Sequence, residues 1–162
     1  MGKKTEPKKD VQPKSEPKKG DLTKIKAFLE ERNQNYEAID EKTIIVPYEI
    51  GGKLFKPTIV LSGAWLVVSC LIIESKDLPA KDDKYVLDLF KKMLLAIHEL
   101  PEINYDIDES NNIYTSVDMR LDITDYNNFF SEFFAVPYGV KHFVEKIAPS
   151  MNPRIDVKGC SE

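Results

Sequence analysis

The spacing of apolar residues along this chain switches between a helical period and a period of two, and the switches mark its elements. Leu22, Ile25, Phe28 and Leu29 follow Asp21 at helical spacing, which predicts a capped helix that stops near Asn33-Gln34-Asn35. Thr43 to Ile50 is short and β-rich, Gly51-Gly52 is a hairpin signal, and Lys53 to Leu61 returns. Pro47 and Pro57 each remove a ladder donor, so these strands are expected near an edge or at a bulge. Ser62-Gly63 makes a second turn. Ala64 to Ile73 then reads as a central strand, apolar on both sides and covered on both, with Trp65 in the core.

Asp77 to Leu100 reads as the clearest helix, capped by Asp82 or Asp83 and ended by Pro101. Val86, Leu89, Phe90, Met93, Ile97 and Leu100 line one face, and Leu87 and Leu94 widen it. Ile103, Tyr105 and Ile107 alternate with polar residues. After a Glu-Ser-Asn-Asn turn the alternation resumes at Ile113, Thr115, Val117, Met119 and Leu121, as expected of an antiparallel pair with one wet side. Thr124 is expected to cap a last helical region. Its stripe, Phe129, Phe130, Phe133 and Phe134, is interrupted at Pro137 and Gly139 and resumes through Val140, Phe143, Val144 and Ile147, as two helices or one kinked helix. The order α-β-β-β-α-β-β-α indicates an α+β fold, an antiparallel sheet with helices packed on it.

Residues 1–20 break this patterning. Glu6-Pro7-Lys8-Lys9 recurs as Glu16-Pro17-Lys18-Lys19, with one valine and no aromatic, so the segment is expected to be a disordered Lys/Pro-rich tail. Residues 21–148 read as a single α+β domain, and 149–162 as a frayed C-terminal segment. The tail carries seven lysines against three acidic residues, a net +4, while the rest of the 162-residue chain carries a net −8. An acidic domain suits a phosphate backbone poorly, so nucleic acid or an acidic surface would have to be bound through residues 1–20. No apolar run approaches a membrane span and no secretory leader is legible, which makes the cytoplasm the expected location.

Candidate chemistry is sparse. His98 and His142 are the two histidines, and His98-Glu99 lacks the second histidine of a zinc-protease helix. Asp106 to Asn112 begins like a calcium loop, but Asn111 and Val117 stand where the turn glycine and bidentate glutamate belong. Cys70 reads as a small buried hydrophobe, and Cys160 has no ligand spacing to it. No nucleophile elbow or phosphate loop occurs. The expectation is therefore no catalytic, cofactor-binding or metal-binding residues and no cofactor. Four phenylalanines within six residues exceed one helix face, and Phe129, Phe130, Phe133 and Phe134 are candidate partner-binding residues.

The stretch from Tyr85 to Phe134 carries a family resemblance. The helix Leu87-Asp88-Leu89-Phe90-Lys91-Lys92-Met93-Leu94-Leu95 leads to an alternating hairpin, and a Thr-Asp cap then opens the aromatic helix Thr124 to Phe130. With the first helix and three strands, this resembles the type III secretion chaperone-like fold, especially the bacterial sensory transduction regulators, or YbjN-like family. The basic tail lies outside that pattern, and Ala96-Ile97-His98-Glu99 stands where members carry an asparagine. The resemblance implies a homodimeric, non-enzymatic, chaperone-like or adaptor module that offers apolar grooves to a partner polypeptide. The alternatives are an accessory binder acting through the basic tail and an enzyme with an unrecognised site.

Overall fold

A computed structural model describes residues 21–160. The expected tail lies outside them. The domain has two layers: a six-stranded antiparallel sheet and helices packed on one of its faces.

Helix α1 (Thr23–Glu31) starts where the Asp21 carboxylate accepts the Thr23 N–H at 3.0 Å and ends at Asn33, which adopts a positive φ of 55°. It buries Leu22, Ile25 and Leu29. Six strand segments follow where three strands were expected. They are β1 (Glu37–Ala38), β2 (Thr43–Ile45), β3 (Tyr48–Ile50), β4 (Lys53–Phe55), β5 (Thr58–Ser62) and β6 (Trp65–Ile73).

Two physical causes account for the difference. Strand β1, two exposed residues, is too short to leave an alternation signal. Pro47 and Pro57 split the hairpin at one level, because neither can donate to a ladder. The last bond before the split runs from the Val46 N–H to the Pro57 carbonyl, 2.8 Å. Beyond it, β3 and β4 form a separate two-stranded ribbon, turned by Gly51 and Gly52 at φ values of 60° and 72°, the conformation a tight hairpin turn requires.

Helix α2 (Asp83–Glu99) begins later than expected. Ser75–Asp77 is instead a single 3₁₀ turn, and Asp82 is the cap, accepting the Tyr85 N–H at 3.1 Å. Strands β7 (Tyr105–Ile107) and β8 (Ile113–Arg120) complete the sheet in the order β1-β2-β5-β6-β8-β7. Helix α3 (Tyr126–His142) is capped by Asp125, whose carboxylate accepts the Asn128 N–H at 2.8 Å. Thr124 is not the cap; it is buried with its hydroxyl on the Arg120 carbonyl. Helix α3 runs on past Pro137 into a π-helical turn (Phe143–Ile147) and the short α4 (Ala148–Ser150).

Two expectations are corrected here. Strand β6 is covered on one face only. Leu66, Val68, Cys70 and Ile72 are buried under the helices, while Val67, Ser69 and Leu71 are half-buried and Trp65 is 46% exposed on the other side. The period of two separates these faces as far as Leu71, where an irregularity turns Ile73, expected beside Trp65, into the core, and apolar side chains on both faces do not guarantee a second covering layer. The segment 149–162, expected to fray, is a packed strap over its described residues: Met151, Ile155 and Val157 are buried, and the Cys160 N–H reaches the Leu54 carbonyl at 2.7 Å.

Candidate protein-binding surfaces

The phenylalanine stripe lies inside the molecule. Phe129, Phe130 and Phe133 are buried, and their rings pack edge-on or stacked at centroid distances of 5.0 to 6.3 Å. Phe134 is half-buried, and the Arg32 guanidinium lies 4.7 Å from the Phe130 and Phe134 ring centres. The stripe is broad because α3 is wrapped: Phe28 of α1 meets Tyr126 and Phe129, and Tyr48 of the ribbon meets Phe133. Of these four candidate partner-binding residues, Phe129, Phe130 and Phe133 are corrected to core, and Phe134 packs half-buried against it.

Apolar surface is left open elsewhere. On α2, Tyr85, Leu89, Met93 and Ala96 point inward. Leu87 (69%), Leu94 (66%) and Leu95 point into solvent on the outer side of the helix, Leu87 two turns before the adjacent pair Leu94 and Leu95. Between α2 and β7 runs a groove of about 180 Å³ lined by Phe90, Met93, Leu94, Ile97, Tyr105, Asp106 and Ile107. Its floor is a sheet edge. The Ser116 N–H donates to the Asn104 carbonyl and the Asp108 N–H to the Asn112 carbonyl, so the even-numbered residues of this segment face β8. Antiparallel pairing alternates, so Tyr105 and Ile107 direct their N–H and C=O groups outward, along the groove. A third open area is the uncovered sheet face around Trp65, Val67 and Leu71.

The polar groups nearby are committed to structure. The Asp106 carboxylate takes the Ser116 hydroxyl. The Asp108 carboxylate accepts the Ser110 and Asn112 N–H groups, the Asn112 side chain and the Tyr114 hydroxyl. The backbone bond from Asn112 is the main reason its carboxyl lies below the usual range. Its oxygens therefore organise a hairpin turn, and the segment that opened like a calcium loop uses its carboxylates internally. The Tyr105 hydroxyl donates to the Gly139 carbonyl at 2.9 Å, and burial pushes its pKa up.

Catalytic constellations do not assemble among the described residues. His98 is exposed on α2. His142 is half-buried at the end of α3, where desolvation and then the Lys146 charge lower its pKa. No group of three His, Cys, Asp or Glu side chains among the described residues could hold a metal ion. No helix among them is long and apolar enough to cross a membrane.

No family model and no curated protein matches the sequence. Solved structures do match. A chain of the heterodimeric ExoU-SpcU complex from the type III secretion system of Pseudomonas aeruginosa superposes with a TM-score of 0.55 at 8% identity, over 78% of this chain and 99% of that one. A chain of the HopA1-SchA chaperone-effector complex gives 0.52 at 15% identity, over 74% and 88%. YbjN from E. coli, a putative transcription regulator, gives 0.53 at 11% identity, over 75% and 90%. At these identities the likeness is one of backbone. A single-sided antiparallel sheet, with one helix before its first strands, a second between β6 and β7 and a third closing it, gives this chain the type III secretion chaperone-like fold, shared with YbjN.

Proposed function

We propose that this protein is a non-enzymatic, chaperone-like or adaptor module that binds another polypeptide and self-associates. The observation that carries the reading is the exposed apolar surface concentrated around α2 and the β7 edge. Large leucines in water are unfavourable by roughly 1.5–3 kcal/mol each relative to full burial, so a contiguous set of them favours a cover. Two kinds of cover fit. The Leu87–Leu94–Leu95 ridge suits a second helix of the same kind, as in a homodimer. The groove beside Tyr105 and Ile107 suits an extended segment, which would bond to the free edge and drop alternate side chains onto Phe90, Met93 and Ile97. The solved complexes of similar fold, a chaperone with an effector and a heterodimer, support a protein-binding role.

The test is native mass spectrometry of the full chain isolated gently from its own host, beside Leu94→Glu and Ile107→Lys variants. A dimer carrying a second polypeptide is expected for the parent chain. Leu94→Glu is expected to give monomers, and Ile107→Lys to lose the second polypeptide. A parent chain that stays monomeric and empty at every concentration overturns the proposal.

A further inference from the structure

The two cysteines lie far apart in sequence, and the fold brings both to the Lys53–Lys56 segment. Cys70 is on the helix-covered face of β6, one residue beyond the point where β5 stops pairing with β6, since the last bridge joins Thr58 to Ser69. The chain bends away there, so the next cover over Cys70 is the Lys53–Lys56 segment. The Lys56 N–H donates to the Cys70 sulfur. The strap arrives at the same segment from outside, where the Cys160 N–H bonds the Leu54 carbonyl at 2.7 Å. Gly159 makes this approach possible. It has a φ of +74°, and a Cβ on it would stand 2.7 Å from the Leu54 carbonyl oxygen. Both sulfurs thus belong to residues bonded to backbone groups two residues apart. Cys70 is buried and Cys160 is partly exposed, beside a cleft that also holds Leu71, Ile72 and Ile73.

We infer that Cys70 and Cys160 form a reversible intramolecular disulfide under oxidation, locking the C-terminal strap onto the β4 segment and the end of β6. In the reduced chain the strap end is held by that one backbone bond, by Lys53 on Asp156 and the Val157 carbonyl, and by the Lys158–Asp77 pair at 3.0 Å. Ion pairs this exposed hold weakly, so beyond the buried Val157 the residues 158–160 are tied down mainly by the Cys160 backbone bond.

The chemistry balances with hydrogen peroxide as oxidant. The Cys160 thiolate attacks one peroxide oxygen, the O–O bond breaks, and the departing hydroxide takes a proton, leaving a sulfenic acid and one water. The Cys70 sulfur gives up its proton and attacks the Cys160 sulfur. The S–S bond forms, the S–O bond breaks, and a second water leaves. The two sulfurs together lose two electrons and the peroxide gains two. The order follows exposure. Burial, ahead of its neighbour Cys160, pushes the Cys70 thiol up to about 12, so the buried sulfur stays a protonated thiol while the partly exposed Cys160 meets the oxidant first. A reducing cytosol returns both thiols, so the bond is a transient one.

The experiment treats the folded, full-length reduced chain with hydrogen peroxide, alkylates free thiols, and maps peptides without reduction. The expected result is a monomer in which the Cys70 and Cys160 peptides are joined and both thiols are lost to alkylation. Amide exchange at residues 53–56 and 157–160 should slow on the order of tenfold on oxidation and recover with dithiothreitol. Cys160→Ser should show neither change while keeping the parent's circular dichroism, and Cys70→Ser should leave Cys160 stalled as a sulfenic acid or its further oxides. Three results overturn the inference: Cys160 oxidised in the parent chain with Cys70 still free, a Cys160–Cys160 bond between two chains, or both thiols intact under peroxide that fully oxidises glutathione added to the same sample. None depends on whether the protein binds a client.

Discussion

Helices α2 and α3 are each 17 residues long and each carry a strong apolar face, yet they meet opposite fates. Helix α3 buries eight residues and α2 only four. The cause is position on the sheet. Helix α3 crosses β6 and β8 in the middle of the layer and is flanked by α1 and the ribbon, so even a broad phenylalanine stripe finds neighbours on every side. Helix α2 lies at the β7 edge, where the sheet ends, and its outer leucines have no second element to meet. Aromatic richness is thus no guide to an interface here. The more ordinary leucine pattern is the one left in water.

Four experiments break or sharpen this contrast. The largest effect is expected from Phe133→Ala. It empties a fully buried ring site beneath Tyr48, Phe129 and Phe134, and should cost about 3–5 kcal/mol in urea-induced unfolding. A loss below about 1 kcal/mol would mean that α3 is not the core helix.

The second concerns the close approach of α3 to β8. The Thr115 hydroxyl is buried without a hydrogen-bond partner, and a Cβ built on Gly139 would stand 2.6 Å from it. Thr115→Val removes an unpaired polar group in nearly the same shape and should stabilise the domain by about 1 kcal/mol. Destabilisation would show that the hydroxyl has a partner, such as a bound water.

Leu94→Glu is the counterpart on α2. It should shift the unfolding free energy of the dilute chain by less than about 0.5 kcal/mol, because the side chain is already in solvent. A cost comparable to Phe133→Ala would place Leu94 in a core. Sedimentation at higher concentration reads the same variant for loss of self-association.

The smallest effect is a pH dependence. Desolvation first, and then Lys146, lower the His142 pKa below its ordinary 6.5 in the folded state. The unfolded chain then binds more protons near that pH, so the contribution is complete above 6.5 and is lost as pH falls through the lowered folded value. The urea midpoint should decline slightly on acidification below pH 6.5, and His142→Gln should flatten that decline. An unchanged profile in the variant would assign the pH dependence to other groups.

Much of the fold was legible along the chain. The alternation of β8, the turn at Gly51-Gly52, the Asp82 cap and the inward face of α1 all lie where local patterning puts them, because each depends on residues within one or two turns, whereas α2 buries Tyr85 and Ala96 beside the expected Leu89 and Met93. The resemblance carried by Tyr85 to Phe134 led to the fold that the solved structures share. The candidate surface was not legible. Phe129, Phe130 and Phe133 looked like excess and are core, while Leu87 and Leu94 looked like a widened core face and are exposed. Thr124 looked like a cap, and its neighbour Asp125 performs that role, since either side chain satisfies the same local rule. The strap from Met151 to Cys160 gave no periodic signal, because its three buried residues are anchored by distant elements and not by a repeat of their own.

The sequence by itself determined the alternation of helix and strand and the acidic balance of the domain. These follow from side-chain spacing, turn residues and residue counts, which act over short range or none. Only the tertiary structure decided which apolar faces are covered. It left one side of β6 and the outside of α2 open, bent the hairpin at Pro47 and Pro57, and brought Cys160 and Cys70 to the Lys53–Lys56 segment. Burial depends on which elements become neighbours, and neighbours across a sheet are set by packing among residues tens of positions apart.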